Sequence, residues 1–333
     1  MNAGFDSTQV SIGDQVTAAR SSVVVYDASE WGRIVVSDGD RLRFLHNQTT
    51  NTFQTRQPGE GCDTVFVTST GRTIDLATAY VQDDSVLLLV SPARREFLMD
   101  WLDRFIFFAD KVKLADVTAE TTALMLIGPE SDRLIEALGA GDRAGQPYGS
   151  HALYPIAGAE VRVAVGSGLG LPGYTLMAPV AAAEPLRAAL QAAGATQIEA
   201  AAWERLRIEQ GRPMPDHELT EDYNPLEAGL WHTISLNKGC YIGQETIARL
   251  HTYRGVKQQL WGVQFGAAAP QETVLTSGED KVGHVTSVVE TESGALGLAY
   301  IRTKAVEAGL GTVQAGDVAG TLVPLPFLSH EYL

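Results

Sequence analysis

Two stretches of this chain combine residue types that can do chemistry. The first is Asn237-Lys238-Gly239-Cys240-Tyr241-Ile242-Gly243-Gln244-Glu245. A cysteine two residues after a lysine lies in a positive local field, which favours its thiolate if the ammonium approaches. A helix starting after Gly243 adds backbone N–H groups. The glycines on either side free the backbone for turns that a Cβ would block. The bland alternative is a small cysteine in a tight loop. The second stretch is Arg207-Ile208-Glu209-Gln210-Gly211, at the end of a helix that Gly211 and Pro213 stop. A carboxylate at a helix C-terminus opposes the macrodipole, so Glu209 needs a partner: a ligand with N–H donors, or simply solvent. Glu227, in the apolar run Asn224–Leu230, reads by default as an ion pair with an arginine.

The rest of the chain must position these groups. Trp31–Ser37, Asp63–Val67, Thr73–Tyr80 and Ser85–Val90 read as strands, with a helix capped by Ser37 or Asp38 before Leu42 and Leu45. Pro92 opens an amphipathic helix carrying Phe97, Leu98, Trp101, Leu102 and Phe105. Thr122–Ile127, Glu160–Val165 and Tyr174–Met177 are further strands. Helices follow at 131–138, Ala181–Ala193 and Ala200–Gln210. The loop Gly166–Gly173 is glycine-rich but leads into a strand, not a helix, so it is no dinucleotide fingerprint. From residue 256 onward short strands alternate with Gly and Asp, the pattern of a small antiparallel barrel or sandwich. The fold class is α+β. The expected division is 1–115, 116–255 and 256–333.

Composition narrows the function classes. The 333 residues carry 25 Lys and Arg against 40 Asp and Glu, a net charge of −15, which argues against non-specific nucleic-acid or anionic-membrane binding. No apolar run approaches the ~20 residues of a membrane helix. Two cysteines, Cys62 and Cys240, cannot make a disulfide framework or supply the four ligands of an iron–sulfur cluster. The start of the chain lacks a secretory pattern and the Arg-rich pattern of a transit peptide, so a cytoplasmic location is expected. The seven histidines show no ligand spacing, and His217, His232 and His251 are the three nearest Cys240 in sequence.

Lys238–Glu245 resembles the KGCYxGQE signature of the YgfZ-type folate-binding proteins. These are relatives of the T-protein (aminomethyltransferase) of the glycine cleavage system, and they support iron–sulfur protein maturation or repair. Asp40–Asn51 is similar to that family's early helix ending in Thr-Asn. Ser69–Asp75 resembles its Gly-Arg hairpin, and Arg207–Gly211 and Asn224–Leu230 resemble segments common to both branches. The resemblance implies a three-part ring around a hole for tetrahydrofolate, a C-terminal β-barrel, and iron–sulfur client proteins as partners. It implies Cys240 as reactive thiolate with Lys238 as its electrostatic partner, and folate contacts from Arg207, Glu209, Asp75 and Asn51. Two departures from the T-protein branch argue against aminomethyl transfer, the alternative activity. The paired aspartates of the hairpin are reduced to Asp75, and Thr175 follows Gly173-Tyr174 where that branch has a glutamate.

Overall fold

A computed structural model describes residues 10–268 and 272–330. Three sheets carry the fold. A five-stranded antiparallel sheet runs in the order Gly61–Val67, Thr73–Val81, Ser85–Val90, Gly32–Ser37, Lys113–Asp116. Its strand Ser85–Val90 is buried on both faces, so it reads as a nearly continuous apolar run rather than an alternating one. The helices Arg41–Gln48 and Arg95–Asp103 cover one side, with Phe44, Leu45, Leu98, Trp101 and Leu102 in the shared core. Phe97 departs from the expected stripe and is exposed.

The second sheet has six strands, in the order Thr196–Ile198, Val24–Asp27, Thr121–Ile127, Gly173–Pro179, Ala159–Val165, His151–Ile156. The expected boundary at 115/116 is therefore crossed. Val24–Asp27 leaves the first 115 residues and lies between Thr121–Ile127 (antiparallel) and Thr196–Ile198 (parallel). Its apolar pair Val24 and Val25 feeds two cores, one on each face of that sheet. The sheets meet at glycines. A Cβ on Gly61 would lie 2.5 Å from the Gly149 carbonyl oxygen, and His151 donates its backbone N–H to Gly59.

The third sheet is a closed six-stranded antiparallel barrel, formed by strands between Gln258 and Val323. Between the sheets runs the helix Ala200–Gln210, buried over almost its whole second half. Gly211, at φ 89°, ends it in a left-handed turn. The early helix also departs from its expected cap. Its N-cap is Asp40, whose carboxylate accepts the Lys111 N–H from the loop before Lys113–Asp116, while Asp38 sits at φ 78°.

Candidate functional site

The long segment after Gly211 has little regular structure but is well packed. Leu219, Tyr223, Leu226, Leu230 and Trp231 join a core shared with the barrel and with Val65, Val67 and Leu76. It ends in the loop 235–243, which docks on two places. Ile242 donates its N–H to Asn47 and Ser235 to Thr50, at the end of the early helix. Gly243, at φ 80°, backs onto the Ser69–Gly71 hairpin, where a Cβ would meet the Thr68 carbonyl at 2.7 Å and Gly71 Cα at 2.8 Å. Gly243 is thus required twice, by its backbone conformation and by close approach.

Lys238 points inward. Its ammonium donates to the carbonyls of His46, Thr49 (2.7 Å) and Asn51 (2.6 Å), and stands 4.6 Å from the centre of the Tyr241 ring. An ammonium has three donors and all are used. The expected role of Lys238 as partner of the Cys240 thiolate is corrected accordingly: it pins the loop to the end of the early helix. Burial pushes its pKa down to about 7, with Cys62 opposing.

Cys240 is exposed and lines a cleft of about 510 Å³ with His46, Gln48, Gln54 and Phe105. The histidine at this cleft is thus His46, not one of the three nearest in sequence. Phe53 donates its backbone N–H to His46 Nδ1 (3.2 Å), so a neutral ring carries its proton on Nε2. Burial, then Lys238, lowers the His46 pKa, favouring that neutral form. Cys62 is the opposite kind of cysteine, buried with its thiol pushed up to about 12.

Asn51 links this loop to the interior. Its carbonyl accepts from Lys238, and its side chain donates to the Asp63 carbonyl (2.7 Å) and accepts from the Thr52 N–H. With its amide committed, Asn51 positions neighbours. Asp63 anchors a cluster of polar side chains. Its carboxylate accepts from Thr78 (2.6 Å) and from the Tyr148 hydroxyl (2.9 Å). Tyr80 meets the Thr175 hydroxyl. Arg212, 2% exposed, faces Asp75, Tyr80, Tyr148 and His232 electrostatically. It donates to the Gly168 carbonyl (2.8 Å) and its guanidinium carbon lies 5.2 Å from the Trp31 ring and 5.5 Å from that of Phe327. Its Nε–H is buried with no partner among the described residues. Tyr148 and His232 are both exposed.

The other residues expected at a folate site have their polar atoms engaged by protein. Arg207 is fully buried, bonded to Glu204, Glu218 (2.9 Å) and Ser287 (2.9 Å), and four of its five N–H groups are engaged. Glu209 is held by Arg20 and Arg205 (2.9 Å), and Arg205 reaches on to Glu292. The helix-terminal carboxylate has its partners, and they are protein. The folate contacts expected of these two residues are corrected on that ground. Their network ties three parts together: the first helix through Arg20, the segment at Glu218, and the barrel through Ser287 and Glu292. Asp75 is 0% exposed, with its oxygens on the Ser91 N–H (3.0 Å) and hydroxyl (2.6 Å). Burial raises its pKa to about 6, opposed by Ser91, Arg212 and Arg94. It is enclosed by protein, with no exposed surface. Glu227 has the expected arginine, Arg72 at 3.7 Å, and closer bonds from Asn224.

Residues 3–238 match the family model described as the GCVT N-terminal domain, and residues 259–327 match the CAF17 C-terminal β-barrel domain. The chain belongs to the GCVT family. It pairs that family's domain with a barrel of the CAF17 type. A chloroplastic protein of Arabidopsis thaliana, named as a transferase without a stated reaction, is 44% identical over 96% of this chain and 74% of its own length. This relative overturns the cytoplasmic location expected from the sequence. An aminomethyltransferase of Rubrobacter xylanophilus is 29% identical over 94% of this chain and 85% of its own. The solved aminomethyltransferase T of the glycine cleavage system from Bartonella henselae superposes with a TM-score of 0.83 at 16% identity, covering 98% of this chain and 91% of that one. That likeness establishes the T-protein fold. No helix among the described residues is long and apolar enough to cross a membrane.

Sequence reasoning missed Arg212, Asp63, Tyr80, Tyr148 and His46. Arg212 left one signal, a cation placed directly after a helix-ending glycine. Nothing in residue spacing brings Tyr148 to Asp63, 85 positions apart.

Proposed function

We propose that this chain binds tetrahydrofolate at the Asp63–Arg212 cluster and supports the assembly or repair of iron–sulfur proteins. The observation that carries the binding is the buried, unpartnered Nε–H of Arg212, whose charge acts on the same His232 as that of Asp63. A buried charged donor without an acceptor is unfavourable by roughly 1–3 kcal/mol or more, which a ligand acceptor relieves. The donor set suits a pterin. Its amino and ring N–H groups need a carboxylate acceptor, which Asp63 supplies. Its ring oxygen needs a donor, which Arg212 supplies. Trp31 and Phe327 offer flat apolar walls. When bound, the folate would supply one-carbon chemistry at its ring nitrogens.

The chain's own residues favour binding over aminomethyl transfer. Asp75 has both oxygens on Ser91 and no exposure, and Thr175 donates to the Gly166 carbonyl (2.9 Å). Neither presents a free carboxylate to a reacting nitrogen. The iron–sulfur role rests on the resemblance of Lys238–Glu245 and on the exposed thiol of Cys240 in its cleft. Lys238, Asn51 and Asp63 form a bonded line from that cleft to the polar cluster. Clients would meet Cys240 from outside while folate occupies the interior.

Calorimetric titration with tetrahydrofolate tests the binding. A Kd in the micromolar range, roughly −8 kcal/mol, is expected, weakened by Asp63→Asn. Absence of saturable binding would remove the reading. An assay with lipoyl carrier protein on the same preparation is expected to show no aminomethyl transfer. Turnover at ~1 per second or faster would replace the accessory role with the enzymatic one.

A further inference from the structure

The far end of the helix Gln244–Thr252 carries a second site. Between residues 254–258 and the segment 302–307 lies a cleft of about 620 Å³, lined by Arg254, Lys257, Arg302, Lys304 and Glu307. Leaving aside Arg254, which has a partner of its own, Lys257, Arg302 and Lys304 against Glu307 give 3 − 1 = +2, in a chain whose net charge is −15. With 40 carboxylates to 25 cations, most arginines of this fold are paired, yet Arg302 and Lys304 have no salt-bridge partner among the described residues. Both are exposed.

A second observation points the same way. Thr303, 8% exposed, also lines the cleft, and its hydroxyl is buried with no hydrogen-bond partner among the described residues. The walls are fixed to one another. Thr303 donates its backbone N–H to the Lys257 carbonyl (2.9 Å), and Gln258 pairs with Arg302 across the barrel. The cations therefore stand on preorganised backbone rather than on a loose loop. Arginine forks match tetrahedral oxyanions two oxygens at a time, and lysines add point charge. A charge of +2 concentrated in one cleft asks for at least two negative charges along a short ligand.

We propose that this cleft binds an oligophosphate chain, free or as part of a larger phosphorylated small molecule. Phosphates linked oxygen to oxygen bring three or four charges within the span of these side chains. Carboxylates strung along a peptide spread the same charge over a longer path. The site is separate from the proposed folate site and does not depend on it.

Calorimetric titration of the full chain at ~50 mM salt with tripolyphosphate tests this. ATP and tri-glutamate serve as parallel ligands. Saturable one-to-one binding of tripolyphosphate is expected, at least about tenfold tighter than tri-glutamate. ATP binding as tightly as tripolyphosphate would place the source in a nucleotide, and weaker ATP binding in the free chain. Arg302→Ala with Lys304→Ala should weaken tripolyphosphate by about tenfold or more. Thr303→Val should weaken it by a smaller factor, with Thr303→Ser restoring it. Both charge changes are at exposed positions, so thermal midpoints should hold and tetrahydrofolate affinity should not move. No saturable binding, equal affinity for tri-glutamate, or indifference to the double substitution each overturns the proposal.

Discussion

Arg207 and Arg212 stand five positions apart at one helix end, and both are buried, yet they belong to different regions. Arg207 lies in a network where the charges answer one another: Glu204, Glu218 and Ser287 take its donors, and Arg20 and Arg205 take Glu209. Arg212, past the left-handed turn at Gly211, has one N–H unanswered among the described residues. The first region resembles a ligand site in sequence and is a structural joint. The second has no motif and holds the unmet donor. Burial and charge are common to both; unmet hydrogen-bonding capacity separates them.

The largest expected effect tests the joint. Arg207→Ala leaves Glu218, 0% exposed, without its cation, and breaking one side of a buried pair costs about 3–5 kcal/mol. Urea denaturation should show a lower midpoint, and a change below ~1 kcal/mol would mean the network is not structural. Next comes Asp75, enclosed by protein. Its carboxyl binds a proton more tightly folded than unfolded, so its favourable contribution is complete below about pH 4 and is lost as pH rises through about 6. Asp75→Asn should therefore stabilise the fold at pH 8 by up to about 3 kcal/mol, and by little at pH 4. Equal effects at both pH values would show that the carboxyl is not held in this way.

Arg212→Met sharpens the contrast. It should weaken tetrahydrofolate by about 1.5–3 kcal/mol while shifting the denaturation midpoint less than Arg207→Ala does. If the two arginine variants behave alike in both assays, the distinction between joint and cluster fails. The smallest effect is that of Glu209→Gln. Its partners are Arg20, half exposed, and Arg205, so a loss on the order of 1 kcal/mol in stability is expected, with folate affinity unchanged. A weakened titration for this variant would return Glu209 to the ligand.

Local elements were legible in the sequence because periodicity and stop signals are local. Ser85–Val90 and Ala200–Gln210 have the expected bounds, and the barrel was visible as short strands punctuated by Gly and Asp. The need of Glu209 for a partner was legible too, but not which partner, because Arg20 is 189 residues away. Lys238 shows the same limit. Proximity to Cys240 along the chain says nothing about direction, and three carbonyls at the end of the early helix attract the ammonium inward. The polar cluster draws on strands of two sheets and on the turn after a helix, so no window of sequence holds it.

The strand Val24–Asp27 has a consequence for how the chain is made. Its antiparallel neighbour begins at Thr121 and its parallel neighbour at Thr196. At ~5–20 residues per second of synthesis, the first partner leaves the ribosome roughly 5–20 s after the strand itself. Throughout that interval Val24 and Val25 have no sheet to join, while the five-stranded sheet, built from residues 32–116, can already close. The nascent chain thus carries an orphan apolar segment ahead of a finished sheet. A ribosome stalled before Thr121 should display that segment to proteases and holdase chaperones, and one stalled beyond Ile198 should not.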